Sequence, residues 1–394
     1  MSGTIEKVAV IGSGVMGAGI AAHCANAGCE VLLLDIVPKD NQDRSAIARK
    51  SIQMMHKSNP EMLMHKRNAM RITAGNIEDD LHLLNNCDWV IEVIVENLEI
   101  KKNLYSRLSD CIGPNTILSS NTSTIPRSEL VSELSKDISS RFLITHFFNP
   151  PRYLPLLEVV TSPEVNDEVV STFCDFADRR LGKRVTICND SPGFIGNRLG
   201  VYFVQRAIKA TLDHGLSVEQ ADAMLGRPIG LPKTAVFALM DLIGIDLIPK
   251  VGESLQSRLE QEDPFHKITG PGEDIIITMI EEGNTGRKGK GGFYRLSRDN
   301  GKKVKEARDL SSGEYHKANR RASFPSAKMG KRGLSALMDC DDDGARFVTD
   351  VLLDTLAYAA YIVPDVSDDI YSIDGAMKVA VSYTHLRAHE TIDD

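Results

Sequence analysis

Short apolar runs rich in β-branched residues alternate with longer mixed stretches through the first half of the chain. From Lys7 to Asp35 the pattern reads strand, glycine turn, helix, strand, with Val8, Val10 and Ile11 as the buried side of the first strand. Asp88 to Glu96 is apolar almost throughout, as in a strand covered on both faces of a parallel sheet. Further strands are predicted at Thr116–Ser120, Phe142–Phe148, Leu156–Val160 and Arg184–Cys188, with a shorter one at Arg71–Thr73. Between them the spacing predicts a polar helical arm over about 42–71, a short helix over Ile77–Leu84, a helix containing Lys101, and a helix over Glu164–Leu181. Strand and helix alternating in this way predict an α/β domain over 1–188 built on a doubly wound sheet.

The period changes after Asp190. Ser191-Pro192-Gly193 reads as a helix start, serine as cap and proline in the first turn. A long amphipathic helix to about His214 and further helices to about Met279 predict an all-α domain over 189–296. Residues 297–340 are charged and poor in large apolar side chains, so a linker is expected there. Helical spacing returns over 341–380, where Ser372 to Met377 faintly echoes Ser217 to Met224. The echo stops early, so an incomplete second helical domain is expected, unable to bury its own apolar face. Ending the chain after residue 296 would then improve solubility. Residues 381–394 carry no apolar period and are expected to be a non-native tail.

Composition narrows the class. The 394 residues suffice for two or three domains, and 42% apolar with 25% charged residues is ordinary for a soluble globular chain. A net charge of −8 offers no general attraction to nucleic acid or membrane. Cys24, Cys29, Cys87, Cys111, Cys174, Cys188 and Cys340 are odd in number and form no CxxC pair, which suits thiols in a reducing compartment better than disulfides or zinc. No apolar run reaches membrane-spanning length and the start, MSGTIEK, lacks a secretory core, so a cytoplasmic location is expected.

The candidate chemistry starts at Gly12-Ser13-Gly14-Val15-Met16-Gly17. A GxGxxG turn alone is weak evidence, but this one follows a strand, opens a helix and meets Asp35 at the end of the next strand. Gly12 serves the tight turn, Gly14 lets a pyrophosphate approach the backbone, Gly17 lets helix and strand pack closely, and the helix N-terminus favours the phosphates. Asp35 would accept both hydroxyls of an adenosine ribose and repel a 2′-phosphate, so the expected cofactor is NAD and the fold Rossmann-type. Beside it, His146 at a strand end is the acid–base candidate, although a lone histidine is more often structural. Glu158 in an adjacent apolar strand raises its standing, because an uncompensated carboxylate there would be costly and a carboxylate can orient an imidazole. Ser123 and Asn197 could hold substrate oxygens; as isolated residues they would be a turn serine and a surface helix position.

These motifs together identify a family resemblance. SNTS (120–123), HFFNP (146–150), LLEVV (156–160), SPGFIGNR (191–198) and VEN (95–97) with Lys101 resemble the 3-hydroxyacyl-CoA dehydrogenases, over residues 5 to about 296. The resemblance implies oxidation of (S)-3-hydroxyacyl-CoA to 3-oxoacyl-CoA with NAD in fatty-acid β-oxidation. It implies His146 as general base, Glu158 as its orienting acid, Ser123 at the substrate hydroxyl and Asn197 near the thioester. It further implies Asn149 at substrate and nicotinamide, Glu96, Lys101 and Lys288 at the cofactor, and Ser51 and Lys57 as candidate CoA contacts on the arm. Pairing of helical domains into a homodimer is implied as well. Beyond 297 the chain resembles a larger fused fatty-acid oxidation protein, and Ser382 to Glu390 resembles a translated sequencing adapter. Two rivals remain: a β-hydroxyacid dehydrogenase, which uses a lysine base and lacks the SNTS and HFFNP elements, and a cofactor-binding protein without catalysis.

Overall fold

The computed structural model describes residues 4–39, 41–268, 270–299 and 302–379, so the expected tail over 381–394 lies outside the described residues. The chain forms two compact units: one up to Phe194 together with Asp365–Asp368, the other from Ile195 to Pro364 and from Asp369 on.

In the first unit the elements run β1 (Lys7–Ile11), α1 (Val15–Asn26), β2 (Glu30–Asp35), α2 (Ala46–Met55), β3 (Ile72–Asn76), β4 (Trp89–Glu92), α3 (Leu98–Ser109), β5 (Ile117–Ser120), α4 (Arg127–Val131), α5 (Lys136–Ser139), β6 (Phe142–Phe147), β7 (Leu156–Val160), α6 (Asp167–Arg179) and β8 (Arg184–Cys188). The strands form one eight-stranded sheet in the order β3-β2-β1-β4-β5-β6-β7-β8. Its first six members are parallel, the arrangement expected of a doubly wound, dinucleotide-binding sheet. β7 runs antiparallel to β6, and β8 parallel to β7. Residues 148–155 are too few for the crossover of about a dozen or more residues that parallel pairing requires, so the chain can only turn back.

One face of the sheet packs an aromatic core in which the Trp89 indole lies 5.0 Å from the Phe173 ring and 6.3 Å from Phe147. β4 stops at Glu92, short of the apolar run to Glu96, because the Glu92 carboxylate takes the Ile94 N–H at 2.7 Å. The arm is helical only over α2. It breaks at Ser58-Asn59-Pro60, where the Ser58 hydroxyl takes the Met62 N–H at 2.9 Å, and resumes as a 3-10 turn over Lys66–Arg71.

The second unit contains α7 (Gly196–Asp213), α8 (Val218–Met224), α9 (Phe237–Ile243), α10 (Leu247–Gln256), α11 (Pro271–Glu281), β9 (Tyr294–Asp299), β10 (Lys302–Arg308), β11 (Tyr315–Lys317), α12 (Leu334–Met338), α13 (Asp343–Tyr361), α14 (Val363–Val366), which crosses from one unit to the other, and α15 (Ile370–Val379). Three expectations change. α7 begins at Gly196 rather than Ser191, because Gly193 (φ 75°) and Phe194 (φ 50°) take left-handed conformations that no helix can continue through. The expected linker over 297–340 instead holds most of an antiparallel sheet ordered β11-β10-β9. Its packing is charge on ring, which a scan for aliphatic residues misses: Lys305 sits 3.6 Å from the Tyr294 ring centre and Arg295 sits 3.8 Å from that of Tyr315.

The third change concerns α13, which buries one apolar side against α7 while Leu353, Leu356 and Tyr361 on the same helix stay exposed. Phe347, Val348, Val351, Leu352 and Tyr358 are buried, and α13 lies along α7 in the same unit. Tyr202 and Tyr358 stack with ring centres 3.9 Å apart, Arg198 Nε donates to the Tyr358 hydroxyl at 3.1 Å, and Arg206 and His214 pair with Asp354 and Asp350. A chain ending after residue 296 is therefore expected to melt lower, by about 5 °C or more, and to self-associate through the uncovered face of α7. Calorimetry and light scattering check this; an equally stable, monodisperse product would refute the packing.

Candidate active site

The glycine turn is built for close approach by a ligand. Gly12 has φ 103°, and a side chain on it would strike the Val93 carbonyl, while one on Gly17 would strike the Gly12 carbonyl. Gly14 differs: it is the N-cap of α1 in an extended conformation, has no capping side chain, and a Cβ added there meets nothing within 4 Å. Two glycines are thus demanded by the protein itself, and the middle one leaves open space over the uncapped helix N-terminus, with Val15 and Met16 in its first turn. That donor set fits the pyrophosphate of a dinucleotide. Asp35 Oδ2 takes both the N–H and the hydroxyl of Ser13, each at 2.6 Å, and the Ser51 hydroxyl on α2 donates to the Ser13 carbonyl at 2.9 Å. Ser51 therefore stands beside the turn, whereas Lys57 lies exposed beyond the end of α2.

His146 is the penultimate residue of β6 and Glu158 sits directly across from it on β7, an alignment that exists only because the two strands are antiparallel. The fully buried Glu158 carboxylate approaches Nδ1 at 2.7 Å. A carboxylate only accepts, so in the neutral imidazole the Nδ1 position carries the proton and the lone pair is on Nε2. Phe148 and Phe194 flank the ring, with centres 4.5 and 5.9 Å away. The adjacent Phe147 N–H donates to the Asn121 side chain at 2.9 Å, tying this strand end to the turn that carries Ser123. Asn149 opens the loop that follows. That loop is pinned by Lys183, a buried residue not singled out in the sequence, whose ammonium donates to the Pro151 carbonyl and, at 2.6 Å, to that of Leu154. Burial pushes the pKa of Lys183 down to about 8. A lysine directly after Gly182 at the start of an edge strand is ordinary, so no local signal marks it.

Glu96 Oε1 accepts from the N–H groups of Ser123 (3.1 Å) and Thr124 (3.3 Å), from the Thr124 hydroxyl, and from that of Thr122. Burial alone would raise its pKa, but Lys101 and then the Thr122 hydroxyl more than offset this, leaving it below the ordinary carboxylate range. Lys101 is itself only 1% exposed and points inward, between Glu96 at 3.2 Å and Glu92 at 2.7 Å. Its expected role at the cofactor can therefore be exerted only through Glu96. Glu92 was missed by motif reasoning, although an acid inside the apolar run Trp89–Glu92 is a visible signal.

The first unit thus carries Gly12 to Gly17, Asp35, Glu96, Ser123, His146 and Asn149 at or just after the C-terminal ends of its parallel strands, where ligands of such sheets bind, with Ser51 on α2, Lys101 on α3 and Glu158 on the antiparallel β7 bonded to Ser13, Glu96 and His146. Asn197, in the first turn of α7, and Lys288, exposed on the turn after α11, belong to the second unit.

Comparison with known proteins adds independent information. Residues 7–191 match the family model described as "3-hydroxyacyl-CoA dehydrogenase, NAD binding domain", and residues 193–296 match that of the "3-hydroxyacyl-CoA dehydrogenase, C-terminal domain". A Rickettsia felis protein named "Putative fatty acid oxidation complex trifunctional enzyme" is 41% identical over 98% of this chain and 52% of its own length. The chain thus spans about half the length of that relative. Human mitochondrial hydroxyacyl-coenzyme A dehydrogenase is 31% identical over 74% of this chain and 91% of its own. The fold matches a crystal structure of 3-hydroxybutyryl-CoA dehydrogenase from Escherichia coli with a TM-score of 0.69 at 23% identity, over 97% of this chain and 90% of that one.

The open space over Gly14 supplies a test that separates binding from folding. Gly14→Ala is expected to leave the melting temperature within about 2 °C while weakening dinucleotide affinity about tenfold or more, whereas Gly17→Ala loses stability outright. Thermal melts and NADH fluorescence titrations read both quantities; equal affinity in Gly14→Ala would remove the close-approach reading.

Proposed function

Because the chain belongs to the 3-hydroxyacyl-CoA dehydrogenase family, we propose that it oxidises (S)-3-hydroxyacyl-CoA to 3-oxoacyl-CoA with NAD as cofactor, as in fatty-acid β-oxidation. The observation that carries this reading is the buried His146–Glu158 pair near the end of β6, in the same sheet whose first strand leads into the glycine turn. NAD, when bound, would supply the acceptor for the hydride of the hydroxyl-bearing carbon. His146 Nε2 takes the hydroxyl proton as that carbon becomes a carbonyl. Glu158 holds the imidazole in the competent tautomer and stabilises the imidazolium that results. General base catalysis of this kind contributes about 10²–10⁴ in rate, or about 3–5 kcal/mol.

Ser123, held by Glu96 through its backbone, is assigned to the substrate hydroxyl, with Asn149 at substrate and nicotinamide. Asn197 is assigned to the thioester, Lys288 to the cofactor, and Ser51 and Lys57 to the CoA moiety. Asp35 favours NAD over NADP, since a 2′-phosphate would meet its charge. Among the described residues no helix is long and apolar enough to cross a membrane, and all seven cysteines are free thiols. The thiols support a reducing, cytoplasmic setting. A homodimer through the helical unit belongs to the same proposal, and sedimentation reports on it.

Two measurements test the chemistry. Acetoacetyl-CoA should drive loss of NADH absorbance, with NADPH far poorer; no loss with either would end the enzyme reading and favour a binding protein. His146→Gln should lower turnover by about 10² or more with NADH affinity nearly unchanged, and Glu158→Gln by about tenfold or more. Retained turnover in His146→Gln would mean that another group is the base.

A further inference from the structure

Beneath the site lies a charged cluster to which the proposed reaction assigns no step. Glu92, fully buried at the end of β4, accepts four hydrogen bonds: from Ile94 N–H (2.7 Å) and Lys101 Nζ (2.7 Å) at Oε1, and from the Tyr105 hydroxyl (2.6 Å) and Ser120 hydroxyl (2.7 Å) at Oε2. Lys101 Nζ bridges onward to Glu96 Oε2, and the Glu96 side chain, 37% exposed, is the cluster's outward face. The phenol of Tyr105 is neutral, since burial and then the charge of Glu92 push its pKa far up. The three ions are two carboxylates and one ammonium, so the cluster carries one net negative charge. A structural ion pair needs one carboxylate per ammonium; the second, Glu96, is kept ionised by Lys101 and by the hydrogen bonds from Thr122, Ser123 and Thr124, so its charge persists at the outward face of the cluster. Its position gives it a use. β1 pairs with β2 on one side and β4 on the other, so β4 borders the switch point of the sheet, where ligands enter.

We propose that the net negative charge of the Glu92–Lys101–Glu96 cluster sets the relative affinity of the site for oxidised and reduced nicotinamide, with Glu92 acting from beneath as a specificity-determining residue. The two forms of the ring have nearly the same outline but differ by one positive charge, carried by the oxidised form alone. A fixed charge in a low-dielectric setting discriminates between them electrostatically, whereas a contact sensitive only to shape hardly can. By linkage, whatever factor the cluster contributes to that ratio also biases the bound couple towards its oxidised form. The inference rests on the proposed placement of nicotinamide beside Glu96.

The experiment measures the dissociation constants of NAD⁺ and NADH separately, by calorimetry and by fluorescence, on the full chain. Glu92→Gln preserves shape and neutralises the cluster: the ratio Kd(NAD⁺)/Kd(NADH) should rise about threefold or more, with NADH affinity within about twofold of wild type. Adding Lys101→Met to Glu92→Gln restores one net negative charge and should return the ratio to the wild-type value or below. Tyr105→Phe, which removes a hydrogen bond but no charge, should leave the ratio alone. The proposal is overturned if Glu92→Gln weakens both forms alike or neither, if the double variant stays raised, or if Tyr105→Phe reproduces the shift. If Glu92→Gln does not fold, the double variant set against Glu96→Gln, whose ratio should rise, gives the same decision. Glu96→Gln also separates the two layers of the argument: both affinities unchanged there removes the nicotinamide placement itself, whereas a shift there without one in Glu92→Gln removes only the present inference.

Discussion

The contact between His146 Nδ1 and the buried Glu158 carboxylate is the interaction on which the site's chemistry depends. A carboxylate without solvent is held ionised at a cost of several kcal/mol unless it is paired and hydrogen-bonded, and removing one partner of such a pair costs about 3–5 kcal/mol. That cost makes the pairing specific. Turning the imidazole to present the other nitrogen would break its hydrogen bond to the carboxylate, which favours one tautomer and one ring orientation. The geometry comes from the backbone: the eight-residue stretch 148–155 forces β7 back along β6 and sets position 158 against position 146.

The same solution recurs around the sheet's C-terminal edge. Loops there would be mobile if held by backbone alone, and each is instead tied by a side chain to main-chain groups. Ser51 grips the Ser13 carbonyl, Glu96 collects the N–H groups at Ser123 and Thr124, Asn121 takes the Phe147 N–H, and Lys183 holds the carbonyls after Asn149. A hydride-transfer site needs reacting atoms held in a near-attack arrangement, where about 1 Å of slack is costly. Polar anchors of this kind provide that order at strand ends, where apolar packing runs out.

The helical unit shows a different economy. α7 is long and buries residues on more than one side, which a single layer of helices cannot accomplish. α13, from a distant part of the sequence, supplies the missing cover through aromatic stacking and ion pairs rather than aliphatic contact alone. The charged ribbon of β9, β10 and β11 is held together by cationic side chains on tyrosine rings, and it joins the helices through the Tyr294 hydroxyl, which donates to Asp222 at 2.9 Å, and through Arg308, which pairs with Glu282.

Local order was legible in the amino acids themselves. The glycine turn with Asp35, the strands at 142–148 and 156–160, the long helix to His214, and His146 with Glu158 as candidates all follow from short-range periodicity and from residue types costly to place elsewhere. What periodicity does not carry is the identity of a distant partner. The grip of Lys183 on the loop after Asn149 and the docking of α13 on α7 are each decided by groups brought together from far along the chain, and the inward turn of Lys101 towards Glu92 by burial that no local period shows. A polar or aromatic side chain looks solvent-ready in sequence, and only folding reveals whether its hydrogen bonds and charge are satisfied by water or by another part of the same molecule.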